Sequence, residues 1–286
     1  MNGKRLLSAL LAVLALIAPI AAAACESCTR TQHMVNCEYW VSLRKAPSEN
    51  SERIMKIPLR AMVYRADDKT MEDDFVYVRY AGYTGYVQAQ YLSRTDPETG
   101  EAFATPMYVA NCREYITLRE IPQKGAAALA KLPLGAAVEC LNDPDNPNPE
   151  SDWAYVVYTN PATGERMTGS VLRKYLCLLP AGDCLESAAM NVSLRGDETR
   201  QQVITDRQTL QAIAEIIRTA APNVTGKCPL GAQLVLVLKD GSRQYFSYPT
   251  DGCPNFRTEN GEAFGLPEEE RQRINAIFAE AFAGIE

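Results

Sequence analysis

Covalent catalysis by cysteine needs a neighbouring base to make the thiolate, and this chain offers one histidine, His33, for that role. Zinc hydrolase sites draw on two or more histidines, so they are equally short of ligands here. His33 stands just ahead of the first strand-like run and reads as a solvent-exposed linker residue. Cys25-Glu26-Ser27-Cys28 would need a second close pair to hold zinc. It also opens no helix after a strand, as a redox C-x-x-C does. Glycoside hydrolysis needs only two carboxylates. The chain has 35 acids, but those near its C-terminus read as a helix first turn and solvated faces. Residues 142–152 alternate Asp and Asn, hard oxygen donors of the kind calcium takes. That stretch has no turning glycine and carries three prolines, the pattern of a solvated loop. These types and spacings predict no catalytic residue, no metal and no cofactor, and direct attention to binding.

Aromatic residues are the candidates for binding. The first third of the chain holds Tyr39, Trp40, Tyr64, Tyr77, Tyr80, Tyr83, Tyr86 and Tyr91, and in a small β domain about half of such a set forms the core. Tyr83 and Tyr86 flank a Thr84-Gly85 turn, so one of them is expected to project outward and stack on a peptide or a sugar. Trp40 and Tyr80 complete the candidate set, since exposed tyrosine and tryptophan concentrate at binding surfaces.

The elements that must position these residues occur twice. Asn36-Cys37-Glu38-Tyr39-Trp40-Val41-Ser42-Leu43-Arg44 is answered 75 residues later by Asn111-Cys112-Arg113-Glu114-Tyr115-Ile116-Thr117-Leu118-Arg119. Ile57-Pro58-Leu59-Arg60-Ala61 returns as Leu132-Pro133-Leu134-Gly135-Ala136 at the same offset. Phe75–Tyr80 answers Trp153–Tyr158, now 78 apart, and Thr84-Gly85-Tyr86-Val87 answers Thr168-Gly169-Ser170-Val171, 84 apart. Four blocks in one order, with length changes confined to spacers, mean a duplicated domain. Each copy alternates apolar and polar residues in short runs rich in β-branched and aromatic side chains, the signature of short strands in a small barrel.

This series, V-x-L-R-x-x-P-S, I-P-L-x-A-x-V, aromatic-V-x-V-x-Y and G-Y-V-x-x-x-Y-L, resembles the bacterial SH3-like (SH3b) domain over 34–94 and 108–177. The resemblance implies two SH3-like barrels and a groove that binds cell-wall peptide or another envelope protein. Phe75 stands for one family tryptophan that Trp153 keeps, and Tyr86 stands at the Gly-Trp-Val position where the second repeat has Ser170. A groove function is therefore expected of the first repeat.

Lys4 and Arg5 precede an apolar run, Leu6–Ile20, and then Ala21–Ala24, with no acid before Glu26. That order describes a secretory signal peptide over 1–24; the alternative is an uncleaved anchor of near-spanning length. Ala22-Ala23-Ala24-Cys25 resembles a lipobox, which implies lipidation of Cys25 and a membrane anchor; ordinary cleavage after Ala24 is the alternative. Nine cysteines is an odd number, and lipidation of Cys25 would leave an even eight. Asp240-Gly241 marks a two-residue hairpin turn, opposite positions of which have numbers summing to 481. Cys228 and Cys253 meet that condition and are expected to form a disulfide worth on the order of 3 kcal/mol. Weaker pairings are Cys177–Cys184, Cys112–Cys140 and Cys28–Cys37. Without 1–24 the chain has 27 basic and 35 acidic residues, a net charge of −8, which excludes nucleic acid as a nonspecific partner.

Residues 95–107 read as a linker. From 188 to 286 the periodicity changes to a β-α-β-β-(β)-α order, an α+β domain large enough for its own core. Thr205 or Asp206 caps a first helix, and Pro267 at its first position opens the last, followed by Glu268, Glu269 and Glu270. The C-P-x-G…C-P pattern loosely resembles uncharacterised modules at the ends of exported bacterial proteins and implies no activity. The whole is expected to be mostly β plus α+β: a non-enzymatic, exported bacterial envelope protein, at the outer face of the cytoplasmic membrane or secreted. Its expected partner is peptidoglycan or an envelope protein, bound through the first repeat. The alternatives are an accessory or inhibitor subunit of an envelope enzyme acting through the last domain, and an unrecognised wall hydrolase.

Overall fold

Each alternating run of the sequence becomes a strand in the computed structural model, which describes residues 31–65, 74–141, 152–194, 198–223, 228 and 230–283. Residues 1–24, expected to be a signal peptide, Cys25, Cys28 and residues 142–151 lie outside these. Strands β1 (Thr31–Met34), β2 (Trp40–Arg44), β3 (Arg53–Pro58), β4 (Met62–Arg65), β5 (Phe75–Tyr80), β6 (Tyr83–Gln88) and β7 (Leu92–Ser93) form one sheet. Strands β8 (Thr105–Val109), β9 (Tyr115–Arg119), β10 (Ala128–Pro133), β11 (Ala137–Leu141), β12 (Trp153–Thr159), β13 (Arg166–Leu172) and β14 (Leu176–Cys177) form a second. The orders β3-β2-β6-β5-β4-β1-β7 and β10-β9-β13-β12-β11-β8-β14 match position for position, so the duplication in sequence is a duplication of topology.

Local chemistry is duplicated with it. A Cβ on Gly85 would collide with the carbonyl oxygen of Arg44, and one on Gly169 with that of Arg119, because these strands cross in near contact where Arg44 pairs with Tyr86 and Arg119 with Ser170. Asn36 and Asn111 both adopt left-handed backbone, at φ +56° and +57°. Each side-chain amide donates to a backbone carbonyl, that of Gln90 at 2.9 Å and that of Lys174 at 3.1 Å. The inward set of the first sheet includes Val41, Leu43, Ile57, Val63, Val76, Val78 and Val87, all buried.

The third sheet comprises β15 (Leu185–Ser193), β16 (Thr199–Ile204), β17 (Ala221–Pro222), β18 (Ala232–Leu238), β19 (Arg243–Tyr248), β20 (Asn255–Thr258) and β21 (Ala263–Gly265). Its order is β16-β15-β18-β19-β20-β21-β17, again antiparallel. Helix α1 (Arg207–Arg218) is capped by Asp206, whose carboxylate accepts from the N–H groups of Gln208 and Thr209, and it buries Leu210, Ile213, Ala214 and Ile217. Helices α2 (Glu268–Ile277) and α3 (Ala279–Phe282) follow, with Pro267 as the residue before α2 rather than its first. Among the described residues no helix is long and apolar enough to cross a membrane.

Several expectations need correction. Strand β16 was not anticipated, because Thr-Arg-Gln-Gln-Val-Ile carries few apolar residues; it is an edge strand, where that composition suits solvent. The β18–β19 hairpin turns over three residues: Ala232 faces Tyr248 and Val237 faces Arg243, so opposite numbers sum to 480. Gly241 at φ +86° supplies the left-handed position of that turn. Cys228 and Cys253 lie beyond the strand ends and still form a disulfide, Cα to Cα 5.8 Å. Cys112, Cys140, Cys177 and Cys184 are not disulfide-bonded; the buried Cys140 thiol faces the Glu262 carboxylate instead.

His33 is not an exposed linker residue. Strand β1 inserts it between Met62 of β4 and Ser93 of β7, where it is 6% exposed and stacks on Phe103 with ring centres 3.9 Å apart. The third unit packs on both sheets. Its core is continuous with that of the second, while Cys228, Leu230 and Cys253 close the core of the first.

Candidate ligand-binding site

The four aromatic residues singled out in the first repeat do not converge. Tyr83 stands at the β5–β6 turn opposite Tyr80 and is 48% exposed. Tyr86 is half-buried against Tyr77, ring centres 4.9 Å apart. Tyr80 is a correction: it is core, its hydroxyl close to Ser247, and burial pushes its phenol well above the ordinary range. Strand β2 meets β6 where Arg44 faces Tyr86. In this antiparallel crossing Trp40 and Tyr83 run off toward opposite ends of the sheet.

Trp40 is already engaged. Its indole Nε1 donates to Thr199 Oγ1 at 2.7 Å, and Lys56, 5.9 Å from the Trp40 ring centre, donates to the Glu198 carbonyl at 3.5 Å. The outer face of β2 and β3 is thus covered by the start of β16. Gln233 Nε2 donates to the Leu59 carbonyl at 2.7 Å beside it.

Among the described residues nothing covers the matching face of the second repeat as β16 covers the first. A cleft of about 410 Å³ runs along β9, floored by Ile116 and Leu172 and walled by Tyr115, Trp153 and Tyr175. Asn111, Arg113, Thr117 and Arg119 supply its polar groups. Alternation along β9 places Tyr115, Thr117 and Arg119 outward and Ile116 and Leu118 inward. Tyr115 is 43% exposed, and Lys131 of β10 lies 4.4 Å over its ring. Arg119 also donates to the Ala126 carbonyl, which fixes its guanidinium as Arg44 is fixed on Ser51 in the first repeat. Among the described residues no acid lines the cleft, although Glu114, Glu120 and Asp152 flank it in sequence. Arg113 stands where the first repeat has Glu38. In a chain of net charge −6 this is a basic, aromatic-walled groove, suited to an extended ligand that stacks and carries negative charge.

From sequence the groove was expected on the first repeat, whereas the open cleft lies on the second. That expectation followed the aromatic at position 86 against Ser170, which is buried, whereas accessibility is decided by where the third unit docks. The available signal was the row Tyr115, Thr117, Arg119 on one face of a strand with Lys131 on its neighbour.

Burial pushes the Cys37 thiol up to about 11 and the Cys140 thiol well above its ordinary value, so both stay protonated. Burial also holds the His33 imidazole down at about 3, with the Arg60 charge adding to it. Among the described residues no three or more His, Cys, Asp or Glu side chains are grouped to hold a metal ion.

No family model matches this chain, and no curated protein matches it. Among solved structures, NlpC2 from Trichomonas vaginalis aligns at 13% identity over 51% of this chain and 47% of its own, with a TM-score of 0.29. The chain therefore spans about half the length of that protein. NlpC1 from Trichomonas vaginalis aligns at 9% identity over 84% of this chain and 87% of its own, with a TM-score of 0.30. Likeness at this level carries no argument about fold or activity.

Proposed function

We propose that this chain is an exported, non-catalytic binding protein of the bacterial envelope, built from two SH3-like barrels and an α+β domain. Its ligand-holding face is the cleft on the second barrel. One observation carries this reading: among the described residues the duplicated face is filled from within the molecule on the first repeat and is an uncovered, aromatic and basic cleft on the second. Ligands compatible with that chemistry in the envelope are wall peptides and extended segments of envelope proteins. Export, lipid attachment at Cys25 and anchoring to the membrane follow from the N-terminal sequence pattern.

Co-sedimentation of the mature chain, without residues 1–24, on purified sacculi tests wall binding. Retention in the pellet, lost in Tyr115→Ala with Trp153→Ala and kept in Tyr83→Ala, assigns wall peptide to the cleft, and no retention leaves a segment of an envelope protein as its ligand. Loss in Tyr83→Ala alone would return the site to the first barrel.

A second reading, partner regulation through the last domain, is favoured by a cleft of about 490 Å³ between Asp251 and the α2 residues Arg271 and Asn275. Deleting that domain is no test, since it closes the first core. Arg271→Ala with Asn275→Ala is the informative variant, measured by pull-down from envelope extract.

A further inference from the structure

Resting on the cleft assigned above, we infer that its occupant is an extended acidic segment of a partner protein, gripped as the first repeat grips the start of β16. In the first repeat two adjacent residues of an extended segment are read at two points. The Trp40 indole N–H takes the Thr199 hydroxyl at 2.7 Å, and the Lys56 ammonium takes the Glu198 carbonyl at 3.5 Å. One contact selects a hydroxyl side chain and the other needs only backbone.

The second repeat copies this clamp residue for residue. Ser42 faces Lys56 and Trp40 faces Pro58 on the first sheet; Thr117 faces Lys131 and Tyr115 faces Pro133 on the second. The cation sits over the aromatic ring in both, Lys56 over Trp40 and Lys131 over Tyr115. Tyr115 keeps a donor where the indole had one, since its hydroxyl can give a proton to an incoming Ser or Thr. Lys56 is 9% exposed under its occupant, whereas Lys131 and Tyr115 are exposed.

Differences between the copies specify the occupant further. Glu38 of the first repeat becomes Arg113, which lines the cleft with Arg119. Lys174 lies 4.9 Å over Tyr175 at its far wall. Four cations therefore surround the copied clamp, with no acid lining it among the described residues, and the complementary ligand is an extended polypeptide with Asp or Glu beside Ser or Thr.

The probe is the acetylated, amidated heptapeptide Gly-Asp-Glu-Thr-Arg-Gln-Gln, the chain's own sequence at 196–202, titrated into the intact mature protein. The readout is the pair of indole N–H signals in the ¹H–¹⁵N spectrum, since Trp153 walls the cleft and Trp40 reports the filled clamp. A saturable shift at Trp153 with Trp40 unmoved is expected. Tyr115→Phe and Lys131→Ala should each weaken it by about threefold, and an unchanged Trp40 signal in those variants shows that the fold is intact. Peptides with both acids changed to Lys, or with Thr changed to Val, should bind more weakly. Equal binding of the Lys peptide overturns the acidic assignment. If soluble muropeptides move Trp153 and the acidic peptide does not, the cleft stands and its occupant is wall peptide rather than protein. If neither moves Trp153, both the occupant and the cleft fall.

Discussion

Arg60 Nε lies 2.6 Å from Glu259 Oε2, joining the first sheet to the third across 199 residues of sequence. The other edge of the same guanidinium meets Asp96 at 2.5 Å, and its Cζ lies 5.0 Å from the ring centres of both Phe103 and Tyr245. One side chain thus ties the first repeat, the linker and the last domain. Arg60 adopts φ +65° where the second repeat has Gly135 at +84°. A non-glycine residue in that region carries a backbone cost, offset here by the contacts of its side chain.

Arg60→Ala should destabilise the protein by about 3–5 kcal/mol, since it strands two buried carboxylates. Arg60→Gly loses the same contacts and relieves the left-handed backbone. It should therefore be about 1 kcal/mol more stable than Arg60→Ala, the reverse of the usual order. Urea denaturation of the two variants measures the difference, and Ala outranking Gly would remove backbone strain from the account.

Two buried groups should give opposite pH dependences. Burial pushes the Glu259 carboxyl up to about 7 from 4.5, opposed by Arg60. Its stabilising protonation is complete below pH 4.5 and lost as pH rises to 7. Burial lowers His33 to about 3 from 6.5, so its contribution is complete above pH 6.5 and lost as pH falls toward 3. Each slope is on the order of 1 kcal/mol per pH unit, and between pH 4.5 and 6.5 they oppose. Relative to wild type, Glu259→Gln should lose stability on acidification across that window and His33→Gln should gain it. Parallel profiles for all three proteins would refute this.

Gly85→Ala and Gly169→Ala should be about equally harmful, each by about 1–3 kcal/mol. Both methyl groups would meet a backbone carbonyl that cannot move without breaking the strand crossing. Thermal unfolding of the pair checks the duplication energetically; a tolerated alanine at either position would show that the crossing relaxes in that repeat.

Reduction of Cys228–Cys253 should lower stability by on the order of 3 kcal/mol. It should also raise amide exchange in the first sheet, because this disulfide packs on that core. Exchange confined to the β18–β19 hairpin would mean that the two do not communicate.

Repetition was legible in sequence because two sheets of the same strand order impose the same alternation and turns. The Asn36/Asn111 turn and the Gly85/Gly169 crossing each tolerate few residue types, so they persist after the surface has diverged. The Cys228–Cys253 bond was legible although the hairpin register was off by one, since the chain beyond the strands absorbs a single-residue shift. Tertiary docking left no periodic mark. His33 looks like any polar residue near a terminus until β1 pairs on both sides, and Trp40 looks available until Thr199 arrives from 159 residues away. Arg60 opposite Gly135 was the one visible trace of that joint, an arginine where the copy needs glycine.

The cover that β16 places over the first repeat also sets valency. A tandem duplication ordinarily offers two equivalent contacts and the gain in effective concentration that comes from linking them. Here one of the two is spent on the molecule itself, so on the function proposed above each chain would present a single hand to its ligand. Strong retention would then come from crowding many chains on one surface, which is what anchoring at Cys25 would provide.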